Sequence, residues 1–144
     1  MAQTELGADV IGKLIDTAMK MREQSYCPYS GFSVGAAVLC SDGTVYTGCN
    51  IENAAYSVTL CAERTAMVKA VSEGHREFEA IAIAGGKTKD PEDYSFPCGS
   101  CRQFMREFCE PDKFLVITAK SRECYIICTL DELLPHSFGP GNLV

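Results

Sequence analysis

The sequence predicts an α/β protein, a layered α/β/α sandwich around a mixed five-stranded sheet. Three observations lead there. Segments of helical and strand pattern follow one another as helix, two hairpin-linked strands, helix, strand, helix, two strands and a short helical turn. Apolar residues make up 47% and charged residues 22%, the balance of a chain that folds around a core. A length of 144 residues with no internal repeat and no linker fits one domain over residues 1–144.

The elements follow in order. Val10, Ile11, Leu14, Ile15, Ala18 and Met19 recur at helical spacing and predict an amphipathic helix over residues 7–25, ended by the loop chemistry of Cys27-Pro28-Tyr29-Ser30-Gly31. Residues 32–40 are a compact apolar run closed by Ser41-Asp42-Gly43, a hairpin signal, and residues 45–51 supply the second strand. After the polar stretch 52–57, a helix is expected over residues 59–73, capped by Ser57 or Thr59 and stopped at Gly74. Residues 78–84 read as a third strand closed by Gly85-Gly86, and residues 87–96 as an exposed loop. A third helix over 98–108, strands over 114–118 and 123–129, and a helical turn over 130–134 complete the chain.

Thirteen basic against nineteen acidic residues give a formal charge of −6, with no Lys/Arg stripe of the kind that grips a phosphate backbone, so no nucleic-acid partner is expected. Residues 1–12 lack a secretory signal pattern, and no apolar run approaches the roughly 20 residues of a membrane helix. Nine cysteines, an odd number without an export signal, read as metal ligands plus buried free thiols in a cytoplasmic protein.

Pro97-Cys98-Gly99-Ser100-Cys101 is a C-x-x-C unit at a helix start, where residues three apart share a face and both sulfurs can reach one ion. Pro97 pre-sets the backbone for helix entry. Cys61 also lies at a helix start, thirty-seven residues earlier. Three protein ligands are the number a catalytic zinc uses, leaving a fourth position for water, whereas a structural site closes with four. Cys27, Cys40, Cys49, Cys109, Cys124 and Cys128 form no second such pair and read mostly as small core residues.

Three thiolates and Zn²⁺ sum formally to −1, which opposes deprotonation of a bound water. Two helix N-termini aimed at the sulfurs offset that charge, and Arg64 can add a full positive charge behind them. Glu63 stands two residues beyond Cys61. Inside a helix those side chains would diverge, so the C-x-E spacing works only if the helix begins here and both hang over its open end. Taken alone, Glu63 also suits a first-turn dipole partner, and Arg64 a solvated helix residue.

Cys61-Ala62-Glu63-Arg64 together with Pro97-Cys98-Gly99-Ser100-Cys101-Arg102-Gln103 resembles the zinc-dependent cytidine deaminases, the small nucleoside-acting kind with three cysteine ligands. Cys in place of His before Ala-Glu sets it apart from dCMP, tRNA-adenosine and polynucleotide-editing deaminases. The likeness runs through Tyr26-Cys27-Pro28-Tyr29-Ser30, Phe32 to Ala37, Gly48-Cys49-Asn50-Ile51-Glu52-Asn53-Ala54 and Leu133 to Pro140. It departs at Ser100, where Ala is frequent, and in the charged, lengthened loop 87–96.

The resemblance implies one Zn²⁺ per subunit and hydrolysis of cytidine and deoxycytidine to uridine and deoxyuridine plus ammonia, in pyrimidine salvage. Zinc-activated hydroxide would attack C4 of the ring, with Glu63 as proton shuttle. It also implies that Asn50 and Glu52 hydrogen-bond the ribose within a segment reaching Ala54, and that Phe32 stacks on the pyrimidine. Tyr56 and Phe138 would reach a neighbouring subunit's site in a homotetramer. Rival readings are a polynucleotide deaminase, a structural zinc module and a deaminase of a cytosine-bearing antibiotic.

Overall fold

The hairpin expected around Ser41-Asp42-Gly43 begins a five-stranded sheet. In a computed structural model describing residues 5–144, the strands are β1 (Ser33–Cys40), β2 (Val45–Cys49), β3 (Phe78–Gly86), β4 (Leu115–Ala119) and β5 (Tyr125–Thr129). They lie in the order β2-β1-β3-β4-β5. All neighbours are antiparallel except β3 and β4, whose parallel pairing requires a crossover. The helices are α1 (Ala8–Met21), α2 (Ala62–Ser72), α3 (Gly99–Phe108) and α4 (Leu130–Leu133). Helix α3 lies in that crossover.

Both faces of the sheet are covered. Along β1, Ala37 and Leu39 face one way, toward Ile11, Leu14, Ile15 and Ala18 of α1. Ala36, Val38 and Cys40 face the other, toward Ala66, Met67 and Ala70 of α2 and Met105 of α3. Burial on two sides explains why β1 from Val34 and β3 from Ala80 run apolar rather than alternating. The expected three-layer sandwich with five strands is the observed one.

Several boundaries differ from the sequence reading for tertiary reasons. The second helix starts at Ala62 rather than at residue 59, because Leu60 exchanges backbone hydrogen bonds of 2.9 Å with Ile51 and holds the chain extended there. Cys61 thus takes the N-cap position assigned to Ser57 or Thr59. Helix α1 ends at Met21, followed by a 3₁₀ turn at Arg22–Gln24. Strand β2 stops at Cys49, since the Asn50 side chain replaces the ladder there, while Gly85 and Gly86 stay within β3 by pairing with Val34 and Ser33. A turn over residues 121–124 delays β5 to Tyr125. The stop at Gly74 is as expected: its φ of +99° is the left-handed conformation that a glycine adopts without Cβ strain.

Candidate active site

Two helix starts meet at one point. Cys61 is the N-cap of α2 and Cys98 the N-cap of α3, both extended and neither sulfur capping a backbone N–H of its own helix. Cysteine is not a favoured cap, so local stability is given up at both helix ends and the sulfurs stay free to face outward. Cys101, in the first turn of α3, is fully buried behind them. The three sulfurs lie within 4.8 Å of one another, with Cys61 Sγ and Cys98 Sγ 3.9 Å apart. Sulfurs sharing a tetrahedral zinc at ordinary Zn–S lengths stand about 3.8 Å apart, so the triad fits that ion.

Glu63 sits in the first turn of α2 with 4% of its surface exposed. The late start of α2 is what brings it beside Cys61, as the C-x-E spacing requires. Burial pushes its carboxyl up to about 7, and the Cys61 charge adds to that shift. The Cys61 thiol moves the other way. Hydrogen bonding from Cys101 above all, then from Arg64 and Cys98, outweighs burial and pulls it down to about 5. Cys101 is raised correspondingly, chiefly by its bond to Cys61. Arg64 Nη2 lies 3.5 Å from Cys61 Sγ and 3.4 Å from the Thr59 carbonyl oxygen. That sulfur is the main cause of the guanidinium's raised pKa.

Cys61, Glu63 and Cys98 line a cavity of about 470 Å³. Phe32, Asn50 and Glu52 stand along it with them. Asn50 is largely committed to the backbone: Nδ2 donates to the Phe32 carbonyl at 2.8 Å, and Oδ1 accepts from Val34 N–H at 2.9 Å. Glu52 Oε1 accepts from the Tyr29 and Ser30 amides at 3.0 and 3.1 Å, and Oε2 accepts from the Ser30 hydroxyl. The Ser30 hydroxyl is the leading reason that its carboxyl titrates below the usual range. Both side chains therefore hold the loop that carries Phe32 into the cavity.

Ala54, Tyr56 and Phe138 are not among the cavity-lining residues. Tyr56 and Phe138 are 73% and 58% exposed, with Tyr56 edge-on to Tyr29 at 5.8 Å. The segment bearing Phe138 is held to α3: Gln103 Nε2 donates to the Phe138 carbonyl, Arg106 Nε to Ser137 Oγ and Arg102 Nη1 to the Leu133 carbonyl.

Sequence reasoning missed two contributions. Tyr94, Ser95 and Phe96 complete the cavity wall from the loop expected to be merely exposed. Aromatic residues in a polar stretch just ahead of Pro97 were a usable signal. Arg22 was the other, and nothing local marked it. It is 8% exposed and donates to four carbonyls: Ser33 at 3.1 Å, Gly86 at 3.1 Å, Thr88 at 2.6 Å and Lys89 at 2.8 Å. The loop is thus anchored from beneath, and its Pro91 is buried. Of the six other cysteines, Cys40, Cys49 and Cys109 are buried as expected, whereas Cys124 is exposed and lies 3.2 Å from the Tyr94 hydroxyl.

Comparison with known proteins agrees with this geometry. Residues 9–118 match the family model of the cytidine and deoxycytidylate deaminase zinc-binding region. The chain is 48% identical over 133 residues to the cytidine deaminase of Sporosarcina psychrophila, covering 92% of this chain and 94% of that one. It is 40% identical over 140 residues to a probable cytidine deaminase of Dictyostelium discoideum, covering 96% and 90%. The crystal structure of cytidine deaminase from Burkholderia pseudomallei superposes with a TM-score of 0.80 at 41% identity, over 88% of this chain and 97% of that one. With three sulfurs spaced for zinc and a matched region spanning most of the chain, this protein belongs to the zinc-dependent cytidine and deoxycytidylate deaminase family.

Proposed function

We propose that this chain hydrolyses cytidine and deoxycytidine to uridine and deoxyuridine, releasing ammonia, as a step of pyrimidine salvage. The observation that carries the proposal is the buried Glu63 beside Cys61 and Cys98 in one nucleoside-sized cavity. Cys61, Cys98 and Cys101 hold the zinc, which when bound supplies Lewis acidity and a water of lowered pKa.

The rest of the chemistry belongs to the side chains. Glu63 takes a proton from the attacking water and delivers it to N3 as the C4–O bond forms. It carries a second proton to the exocyclic amino group as the C4–N bond breaks, so one water is consumed and one ammonia leaves. Phe32 offers its ring face to the pyrimidine. Glu52 and the one amide N–H that Asn50 keeps free address the ribose hydroxyls, in the segment that runs on to Ala54. Arg64 offsets the negative triad.

The same reading makes residues 1–144 one domain and the enzyme a homotetramer. Tyr56 and Phe138, exposed on their own subunit, would then close a neighbour's site. The nine free cysteines support a reducing, cytoplasmic setting, and no helix among the described residues is long and apolar enough to cross a membrane.

Purified protein incubated with cytidine, deoxycytidine and CMP, with products separated by chromatography, tests the assignment. Uridine and ammonia in equal amounts, with CMP left intact, are expected. Glu63→Gln should retain zinc while kcat falls by about 10²–10⁴-fold. Near-normal turnover in that variant, or preference for CMP, sinks the proposal.

A further inference from the structure

A second group of ligand-type side chains lies at the opposite end of α2 from the cysteine triad. Cys40 closes β1, Asp42 lies in the hairpin turn to β2, and His75 follows α2. One ligand atom from each falls within 4.8 Å of the others. We propose that Cys40, Asp42 and His75 form a second divalent transition-metal site, separate from the triad and open at one coordination position.

Each ligand is held by its backbone with one atom to spare. The turn is closed by Cys40 N–H donating to the Thr44 carbonyl at 2.8 Å and Gly43 N–H to the Cys40 carbonyl at 3.0 Å. Asp42 Oδ1 accepts from Thr44 N–H at 3.0 Å, which leaves Oδ2 turned to His75. His75 N–H donates to the Ala70 carbonyl at 3.0 Å, and its ring packs edge-on against Tyr46 with centroids 5.2 Å apart. His75 Nδ1 and Asp42 Oδ2 stand 3.6 Å apart. Nitrogen and oxygen sharing a tetrahedral zinc are about 3.3 Å apart, so this pair needs a contraction of only a few tenths of an ångström, while the Cys40 sulfur, within 4.8 Å of both, has to close to about 3.6 Å.

The donor set chooses the metal class. One thiolate with an imidazole and a carboxylate suits Zn²⁺, Co²⁺ or Cd²⁺, not Mg²⁺ or Ca²⁺, which take oxygen ligands. A thiolate, a carboxylate and a neutral imidazole around a divalent ion sum to zero, a balance suited to a half-buried place. Burial holds the Cys40 thiol above its ordinary pKa, so the entering metal has to displace that proton to solvent. Helix α2 is about 16 Å long, which keeps this ion apart from the one beside Cys61. An ion here ties the β1–β2 hairpin to the end of α2.

Equilibrium dialysis of the zinc-loaded enzyme against Zn²⁺ tests the site. Binding of a second equivalent per chain is expected, with Co²⁺ in that site giving a thiolate-to-metal charge-transfer band. Cys40→Ala and His75→Gln should each weaken the second equivalent by more than about 10-fold while the first remains. His75 is partly exposed, so its variant keeps the test decisive even if the buried Cys40 change impairs folding. Saturation at one equivalent, or a second equivalent unaffected by His75→Gln, overturns the site.

Discussion

Arg64 places its guanidinium against a cysteine sulfur while its own Nε, buried, finds no protein acceptor among the described residues. An arginine accepts such an arrangement only where its charge is wanted. A three-thiolate zinc site carries a formal charge of −1, which Arg64, in the role proposed above, would offset. Replacing it by Gln should leave the sulfurs in place yet weaken zinc binding by about 10–100-fold, read by competition with a chromophoric chelator. Unchanged affinity would return Arg64 to the role of a helix surface residue. Glu63 shows the same dependence on position. Two residues from Cys61, it shares the pocket only because Leu60 pairs with Ile51 and postpones the start of α2.

At the scale of elements, close approach sets the site. Helix α2 lies directly on β2 at Gly48, where a Cβ would stand 2.4 Å from the Ala62 carbonyl oxygen and 2.5 Å from the Ala66 nitrogen. Only a residue without a side chain lets the helix start, with Cys61 and Glu63, come that near the sheet. The loop over residues 87–96 is set differently, by Arg22. Arg22→Ala should lower stability by about 2–4 kcal/mol in urea unfolding, since four carbonyls lose a buried, charged partner. Because the loop ends in Tyr94 to Phe96, KM should rise more than kcat falls. Arg22→Lys should fall between, as an ammonium cannot fork to four oxygens. Equal loss in KM and kcat would instead mark a purely global effect.

For the whole molecule, the telling feature is apolar surface near the cavity. Tyr26, Tyr29, Ile51, Tyr56, Val58 and Phe138 are all exposed on the isolated chain. The homotetramer proposed above would bury such exposed apolar side chains. Sedimentation should return four times the 15.7 kDa chain mass, and Tyr56→Glu should shift the population to smaller species with lost activity. A wild-type monomer with full turnover would dismiss the shared-site reading.

By itself the sequence determined the layered fold and pointed to Cys61, Cys98 and Cys101 as a set able to hold a metal ion, with Glu63 beside Cys61. The elements and motifs are written in short-range terms: a period of about 3.6, short apolar runs, a C-x-x-C and a C-x-E. Cys61 and Cys98, thirty-seven residues apart, are linked by their matching places at two helix starts. Only the tertiary structure decided that Arg22 underpins the loop, that Tyr94 and Phe96 wall the cavity, that Asn50 and Glu52 brace the turn before Phe32, and that Cys40, Asp42 and His75 converge. These pairings join residues up to 67 positions apart through carbonyls and packing. Any segment offers such groups, so no local pattern announces which of them will meet.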